Sequence, residues 1–478
     1  MPTLIPWLCA LAAWADPPGH APASPPAAVL ALESALTEAI ERAEPSVVAI
    51  AREKSDGGKT TAVRGRNPEP STNDPRAIPA GKPGGAGADW VSFDYGSGVV
   101  IGKKGEILTA FHVVRAARRL VVRAVDRQVF EAEVIAADPR SDLAVIVPRD
   151  LPDIAPPKLQ PMALGDATKL RKGSFLLALG NPFNAAAHDG RASASWGILS
   201  NISRRLADDP EDPNRNTLRY YPTLLQLDAK LNLGMGGGAV INLRGELVGV
   251  TTAAASVNGF DAQAGYAIPL DAIGRRAVET LREGKEVEYG FLGINLDEQG
   301  TSRVASARPG TPAAEGGIQT DDVVVAVNGK PVTDRDSLLL AINALSAGAS
   351  VKIKVDRQSE LLEKTVELAK YPILPPSEVI ATNVPAAWRG LRVDYTSRHP
   401  NIAGQFGDPI LNAMSLGGVV VVEVEPDSPA EKAGLKKGQV ITQIGTQRVR
   451  NPREFARIAA EIKDAVMLRT DLGEVTVP

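Results

Sequence analysis

The C-terminal part of this 478-residue chain repeats itself. The stretch Pro309-Gly-Thr-Pro-Ala-Ala-Glu-Gly-Gly-Ile-Gln-Thr-Asp-Asp-Val-Val-Val-Ala-Val aligns without gaps on Pro426-Asp-Ser-Pro-Ala-Glu-Lys-Ala-Gly-Leu-Lys-Lys-Gly-Gln-Val-Ile-Thr-Gln-Ile. The same offset carries Val332 onto Val449 and Leu338 onto Phe455. Such a match means one supersecondary unit built twice, each copy roughly 90 residues long. Each reads as strand, short helix, strand, longer helix, strand. The copies are expected over 286–370 and 387–478, joined by a Pro-bearing linker at 371–386. The second copy also carries a polar, Gly-rich stretch at 396–418 that the first lacks.

Upstream of the repeats the pattern changes. From Gly96 to Pro269 short apolar runs alternate with Gly, Pro and Asp turns: Val99–Ile101, Leu120–Ala124, Phe130–Ala136, Leu143–Val147, Phe175–Leu179, Leu224–Leu227, Ala239–Asn242 and Leu247–Thr251. Phe130, Ala132, Val134 and Ala136 alternate with Glu131 and Glu133, the mark of a half-buried strand. Many short strands without regular helices predict an all-β barrel or sandwich. A helical pattern from Leu270 to about Leu281 closes the region, and another, Leu32, Leu36, Ile40 and Ala43, precedes it and stops at Pro45. Residues 53–89, rich in Gly, Pro, Asn and Lys, read as a long mobile loop.

The first 15 residues are apolar but too short for a membrane-spanning helix. They end in Ala13-Trp14-Ala15, a small-x-small pattern that predicts a cleaved signal peptide and a periplasmic or secreted protein, although no Lys or Arg precedes the apolar run. Residues 16–44 follow as a Pro/Ala linker and the N-terminal helix. Cys9, the single cysteine, lies in the cleaved part, which excludes a disulfide scaffold and Cys-ligated metal; no metal and no cofactor are expected. Lys+Arg 53 against Asp+Glu 56 leaves a net charge of −3, which argues against nucleic acid as a partner.

Several segments together resemble the HtrA (DegP/DegQ) family of trypsin-like serine proteases. They are Gly96-Ser-Gly-Val-Val-Ile, Leu108-Thr-Ala-Phe-His-Val-Val114, Asp138-Pro-Arg-Ser-Asp-Leu-Ala-Val145 and Leu179-Gly-Asn-Pro-Phe183, then Gly197-Ile-Leu-Ser200, Asn242-Leu-Arg-Gly-Glu-Leu-Val-Gly249 and Gly265-Tyr-Ala-Ile-Pro269. The two repeats resemble the family's PDZ pair. The resemblance covers about 45–478 in family order. It implies a mainly β chain: a chymotrypsin-like double β-barrel over 45–283, then two PDZ domains of the α+β, partly open barrel type. It also makes His112 the base and Asp142 its orienter.

The nucleophile loop departs from the family pattern. Where the family has Asn-Pro-Gly-Asn-Ser-Gly-Gly-Pro, this chain reads Asn232-Leu-Gly-Met-Gly-Gly-Gly-Ala239, in register on both sides. Gly236 therefore takes the serine position and brings no hydroxyl, so no acyl-enzyme forms there. Ser193, Ser195 and Thr251 are near in sequence, but none belongs to the turn itself. Lys230, Leu233, Met235 and Ala239 are also changed. Amides of Gly234 and Gly236 remain as an oxyanion cradle able to hold a carbonyl or carboxylate.

In the first repeat Tyr289-Gly-Phe-Leu-Gly-Ile294 resembles the family's carboxylate-binding loop, which makes Gly290, Phe291, Leu292 and Gly293 peptide-binding residues. Leu338, Leu339 and Ile342 on the long helix either line the side-chain pocket or pack the core. In the second repeat the matching loop, Trp388-Arg-Gly-Leu-Arg392, departs from the pattern. The arginines at 115, 118, 119, 123 and 127 read as a solvated face offset by Asp126, Glu131 and Glu133.

Three functions follow. The first is a pseudoprotease that binds unfolded proteins or peptide C-termini as a chaperone, adaptor or regulator, in a homo-oligomer (a trimer or its multiples) or a mixed oligomer with an active homologue. The second is a serine endopeptidase of protein quality control with an unorthodox nucleophile. The third is a structural assembly protein. None needs a membrane span after signal cleavage.

Overall fold

The computed structural model describes residues 26–54, 95–152, 155–187, 189–204, 224–256, 263–297, 299–307, 309–373, 378–398 and 417–478. The expected signal peptide, the start of the following linker, nearly all of the 53–89 loop and most of the 396–418 stretch lie outside the described residues. Among the described residues no helix is long and apolar enough to cross a membrane.

The N-terminal helix α1 (Ala27–Ala43) buries Ala39 and Ala43 and leans Leu36 and Ile40 on the main core. It stops where Pro45, lacking an amide hydrogen, enters a single 3-10 turn. Six strands then form the first barrel: β1 (Val47–Lys54), β2 (Tyr95–Val100), β3 (Ile107–Ala110), β4 (Ala117–Arg123), β5 (Val129–Asp138) and β6 (Leu143–Pro148). Their order is β5-β4-β1-β2-β3-β6, and β6 pairs back on β5 to close the ring. The alternation read in Phe130–Ala136 holds as far as Val134. A register shift between Val134 and Ala136 then turns the strand so that Ala136, Ala137 and Asp138 are all buried. Between β3 and β4 lies the one-turn helix α2 (Phe111–Val114).

The second barrel is closed in the order β10-β11-β12-β9-β8-β7. Its strands are β7 (Phe175–Gly180), β8 (Ser193–Arg204), β9 (Leu224–Leu227), β10 (Ala239–Ile241), β11 (Leu247–Ser256) and β12 (Gln263–Pro269). Helix α3 (Ala272–Arg282) follows, its first amides capped by the Asp271 carboxylate, which accepts from Ile273 and Gly274. Ile273, Ala277, Val278 and Leu281 form its buried stripe. Burying Leu281 alone contributes about 1.5–3 kcal/mol.

The first repeat holds β13 (Gly290–Phe291), β14 (Ile294–Leu296), β15 (Val304–Ala307), the short helix α4 (Pro312–Glu315), β16 (Val323–Val327) and β17 (Lys330–Pro331). It continues with α5 (Arg335–Asn343), β18 (Ser350–Arg357), β19 (Glu360–Glu367) and β20 (Ala369–Lys370). Asp334 and Ser337 form a capping box at the start of α5. The second repeat has β22 (Leu391–Tyr395), β23 (Val419–Val424), β24 (Val440–Ile444), β25 (Gln447–Arg448), β26 (Val466–Thr470) and β27 (Gly473–Val477). Its helices Pro429–Lys432 and Pro452–Glu461 start with a proline, as α4 does. The offset seen in sequence is kept in hydrogen bonding: the Ile318 amide donates to the Ala313 carbonyl at 2.9 Å, and the Leu435 amide to that of Ala430 at 3.1 Å.

The 371–386 segment, expected as a linker, does more than connect. It supplies β21 (Ile380–Ala381), which adds to the first barrel by pairing with Ala136 and Ala137 of β5. Thr382 and Asn383 extend that contact through backbone bonds to Ile135 and Gly284.

Charged side chains join the units. Arg140, buried in the β5–β6 turn, donates to Asn343 of α5 at 2.8 Å and stacks 3.6 Å from the centre of the Tyr371 ring. The buried ammonium of Lys370 lies between Asp394 of the second repeat (2.8 Å), Glu286 (3.0 Å) and Glu288 (3.6 Å).

Candidate active site

His112 owes its position to its neighbours. In the turn Phe111-His-Val-Val114 three apolar side chains are buried, which leaves His112 as the one facing out, its ring 49% exposed. Thirty residues on, Asp142 sits in the β5–β6 turn with a left-handed backbone, φ 54°, a conformation aspartate tolerates better than most residues. That turn is set by Asp138, whose carboxylate accepts from the Arg140 and Ser141 amides, the Ser141 hydroxyl and the Tyr289 hydroxyl.

The Asp142 carboxylate grips His112 twice. Oδ1 accepts the His112 amide at 2.9 Å, and Oδ2 lies 2.8 Å from Nδ1 of the ring. Thr252 of β11 donates its hydroxyl to the same Oδ2 at 2.5 Å. This holds Nδ1 protonated toward Asp142 and leaves Nε2 facing the cleft. Burial pulls the ring's pKa down, but the charge and hydrogen bond of Asp142 outweigh burial, and the result lies above the ordinary 6.5. The Arg52 guanidinium opposes this slightly; it donates to the carbonyls of His112 and Arg115.

Gly236 faces that imidazole from the second barrel. A Cβ built on Gly236 would lie 2.6 Å from His112 Nε2, nearer than real Cβ contacts come. Gly236 thus stands against the His112 ring, and the imidazole occupies part of the space a side chain there would need.

The backbone of the turn is well braced. The Leu233 carbonyl accepts from the Phe183 amide at 2.8 Å, and the Met235 carbonyl accepts from the Gly238 amide at 2.9 Å and from the Thr251 hydroxyl. A trans peptide carries its N–H opposite its C=O, so the amides of Gly234 and Gly236 turn away from those anchors. Ser97 ties the turn to the first barrel: its amide donates to the Gly236 carbonyl at 2.8 Å and its hydroxyl to that of Gly234 at 2.7 Å. Beneath the turn Met235 packs with Leu231 and Ala178 in a small apolar cluster.

Four hydroxyls nearby are engaged elsewhere. Thr251 binds the Met235 carbonyl, Thr252 binds Asp142, Ser97 binds the Gly234 carbonyl, and Ser195 donates to the Lys230 carbonyl at 2.8 Å. Sequence reasoning passed over Ser97, Thr252 and Arg52. Ser97 lay within a motif that had been read, but no spacing rule connects a residue at 97 with a carbonyl at 234. Of the arginines read as a solvated face, Arg119 pairs with Glu53 and Glu131, and Arg115 reaches Glu378 beside β21.

In the first repeat the loop 289–293 folds back on the unit. Tyr289 is buried, the Gly290 amide donates to the Leu345 carbonyl at 2.9 Å, and Phe291 pairs with Ala369. Gly293 has φ 81°, and a Cβ there would run into Thr311. Strand β14, just after the loop, pairs on one side with β15. Leu338 and Ile342 are 1% and 6% exposed and belong to the core of this unit, with Leu339 partly buried beside them. The counterpart loop of the second repeat is closed on itself. Trp388 and Leu391 exchange both backbone hydrogen bonds, the Trp388 ring meets Phe455 edge-on at 5.8 Å, and Arg389 donates to the carbonyls of Val477 and Asp464.

The arrangement brings His112, bonded to Asp142, against the Gly234–Gly236 turn. Residues 96–250 match the model of a trypsin-like peptidase domain, and residues 290–368 and 420–469 match models of PDZ domains. The chain is 28% identical over 472 residues to the periplasmic serine endoprotease DegP of Salmonella typhimurium, covering 92% of this chain and 90% of that one. It is 30% identical over 447 residues to a probable periplasmic serine endoprotease, DegP-like, of Pseudomonas fluorescens, covering 88% and 87%. The periplasmic pH-dependent serine endoprotease DegQ of Escherichia coli is 30% identical over 396 residues, covering 80% and 79%. Among solved structures, the HtrA-type protease AlgW with a tripeptide matches with TM-score 0.52 and 25% identity, over 71% of this chain and 98% of that one.

Proposed function

Because the chain belongs to the DegP/DegQ (HtrA) family of trypsin-like serine endoproteases with PDZ domains, we propose that it is a non-proteolytic member of that family. It works in the periplasm, binding unfolded or C-terminal peptides through its PDZ units as a chaperone, an adaptor or a regulator of an active homologue. It does so as a homo-oligomer or in a mixed oligomer with that homologue.

Gly236 carries this reading. Losing the nucleophile of a Ser-His-Asp triad costs on the order of 10⁶-fold in kcat, and the oxyanion cradle and binding leave only about 10³–10⁴ over water. No useful protease works at that level. The engagement of Thr251, Thr252, Ser97 and Ser195 in other hydrogen bonds speaks against any of these four as a substitute nucleophile. Strand β14, paired with β15 and following the Gly293 loop, suits an added peptide strand in the first PDZ unit, whereas the self-paired loop at Trp388 disfavours one in the second.

The test is treatment of the purified chain with a fluorophosphonate probe and with casein. Neither labelling nor digestion is expected. Labelling of any serine or threonine would remove this reading in favour of an endopeptidase with an unorthodox nucleophile.

A further inference from the structure

The groups that remain in the degenerate cleft have a ligand chemistry of their own. We propose that the cleft between His112 and the Gly234–Gly236 turn is a receptor for a free peptide carboxylate. The Gly234 and Gly236 amides take one carboxylate oxygen, and the Nε2–H of the His112 imidazolium takes the other. This deepens the non-proteolytic reading and rests on it, since a serine hydroxyl at position 236 would compete for Nε2.

Four observations support the assignment. The two amides are turned from their bracing anchors at Phe183, Gly238 and Thr251. Nε2 makes no hydrogen bond to the described residues, and the ring is half exposed. Asp142 engages Nδ1 and so turns Nε2 to the opposite side, and the Arg52 guanidinium backs the ring's peptide by donating to the His112 and Arg115 carbonyls. Finally, Leu233 and Phe183 stand 46% and 59% exposed next to the cradle, an apolar rim for the residues that precede a C-terminus. A peptide bond in the same place offers one acceptor oxygen and leaves the imidazolium donor unmatched; a carboxylate offers two, both charge-assisted.

The chain has four histidines, at 20, 112, 188 and 399, so the imidazole signals of the full-length protein can be followed by NMR through a pH titration, with His112 identified by His112→Gln. The probes are an N-acetylated tripeptide ending in leucine as the free acid, its C-terminal amide, and sodium acetate. The free acid should raise the His112 midpoint by about half a pH unit or more, equivalent to roughly threefold tighter binding to the protonated ring. The amide should leave it in place and acetate should act more weakly. Gly236→Ala, whose methyl group would press on Nε2, should abolish the shift.

The proposal is overturned by a midpoint that the acid does not move, by an equal shift with the amide, or by a shift that survives Gly236→Ala. Acetate acting as strongly as the peptide acid would overturn the peptide and assign a small carboxylate instead. A failure here without fluorophosphonate labelling leaves the non-proteolytic reading standing, whereas labelling removes both.

Discussion

Nε2 of His112 stands 2.6 Å from the point where a Cβ on Gly236 would lie. The two residues come from different barrels and are held by different partners: His112 by Asp142, Gly236 through its carbonyl by the Ser97 amide. The imidazole therefore stands in part of the space that a side chain at 236 would need, with its Nδ1 held by Asp142.

Gly236→Ser should restore fluorophosphonate labelling only weakly. The new Cβ forces the imidazole to give way against the Asp142 bond, and an off-rotamer side chain costs about 0.5–1.5 kcal/mol, up to roughly tenfold in rate. Comparing labelling rates of the variant and the natural chain checks this; no labelling at all would mean that Met235 and Leu233 have also spoiled the cradle.

The His112–Asp142 pair should leave a signature in stability against pH. A histidine whose pKa is higher in the folded than in the unfolded chain stabilises fully below the ordinary 6.5 and loses that contribution as pH rises through the folded value. Urea melts of the natural chain and His112→Asn should thus differ most below pH 6.5 and converge in the range just above it. The half-exposed ring keeps the difference within about 1 kcal/mol.

Lys370→Met should loosen the joint between the two PDZ units. Burial works against the ammonium, but Asp394, Glu286 and Glu288 together outweigh it and hold its pKa up. Removing the cation leaves Arg398, which pairs with Asp394 at 3.2 Å and Glu286 at 3.6 Å, to balance three carboxylates, and breaking a buried pair in this way costs up to about 3–5 kcal/mol. A lower Tm, or a more extended chain by small-angle scattering, is the expected result.

Gly293→Ala should impair the first PDZ unit. A left-handed φ of 81° penalises any residue with a Cβ by about 1–2 kcal/mol, and the added methyl also meets Thr311. Peptide binding by the full chain, measured with a C-terminal peptide library, should fall; unchanged binding would place the peptide site elsewhere.

Much of the architecture is legible in the sequence. Most of the short apolar runs of the barrels became strands within a residue or two, and the helices near Leu36 and Leu281 formed where the periodicity put them. The β21 strand was not readable: two residues, Ile380 and Ala381, carry no periodic signal, and they become a strand because the edge of β5 is there to pair with. Leu338 and Ile342 show another limit. A helical apolar stripe does not say whether it faces a ligand or a core, and packing placed these two in the core of the first PDZ unit.

The sequence by itself determined that residue 236 has no hydroxyl, that His112 and Asp142 lie thirty residues apart in motifs resembling those of a protease family, and that one unit occurs twice. These are matters of residue identity and local period, which covalent order carries directly. The tertiary structure decided that His112 leans on Gly236, that Ser97, Phe183 and Thr251 brace the glycine turn, and that Arg140 and Lys370 join the units. Each of those contacts joins residues far apart in the chain. They exist only once two closed barrels and their shared core have fixed where each strand ends, and no pattern within one segment encodes that geometry.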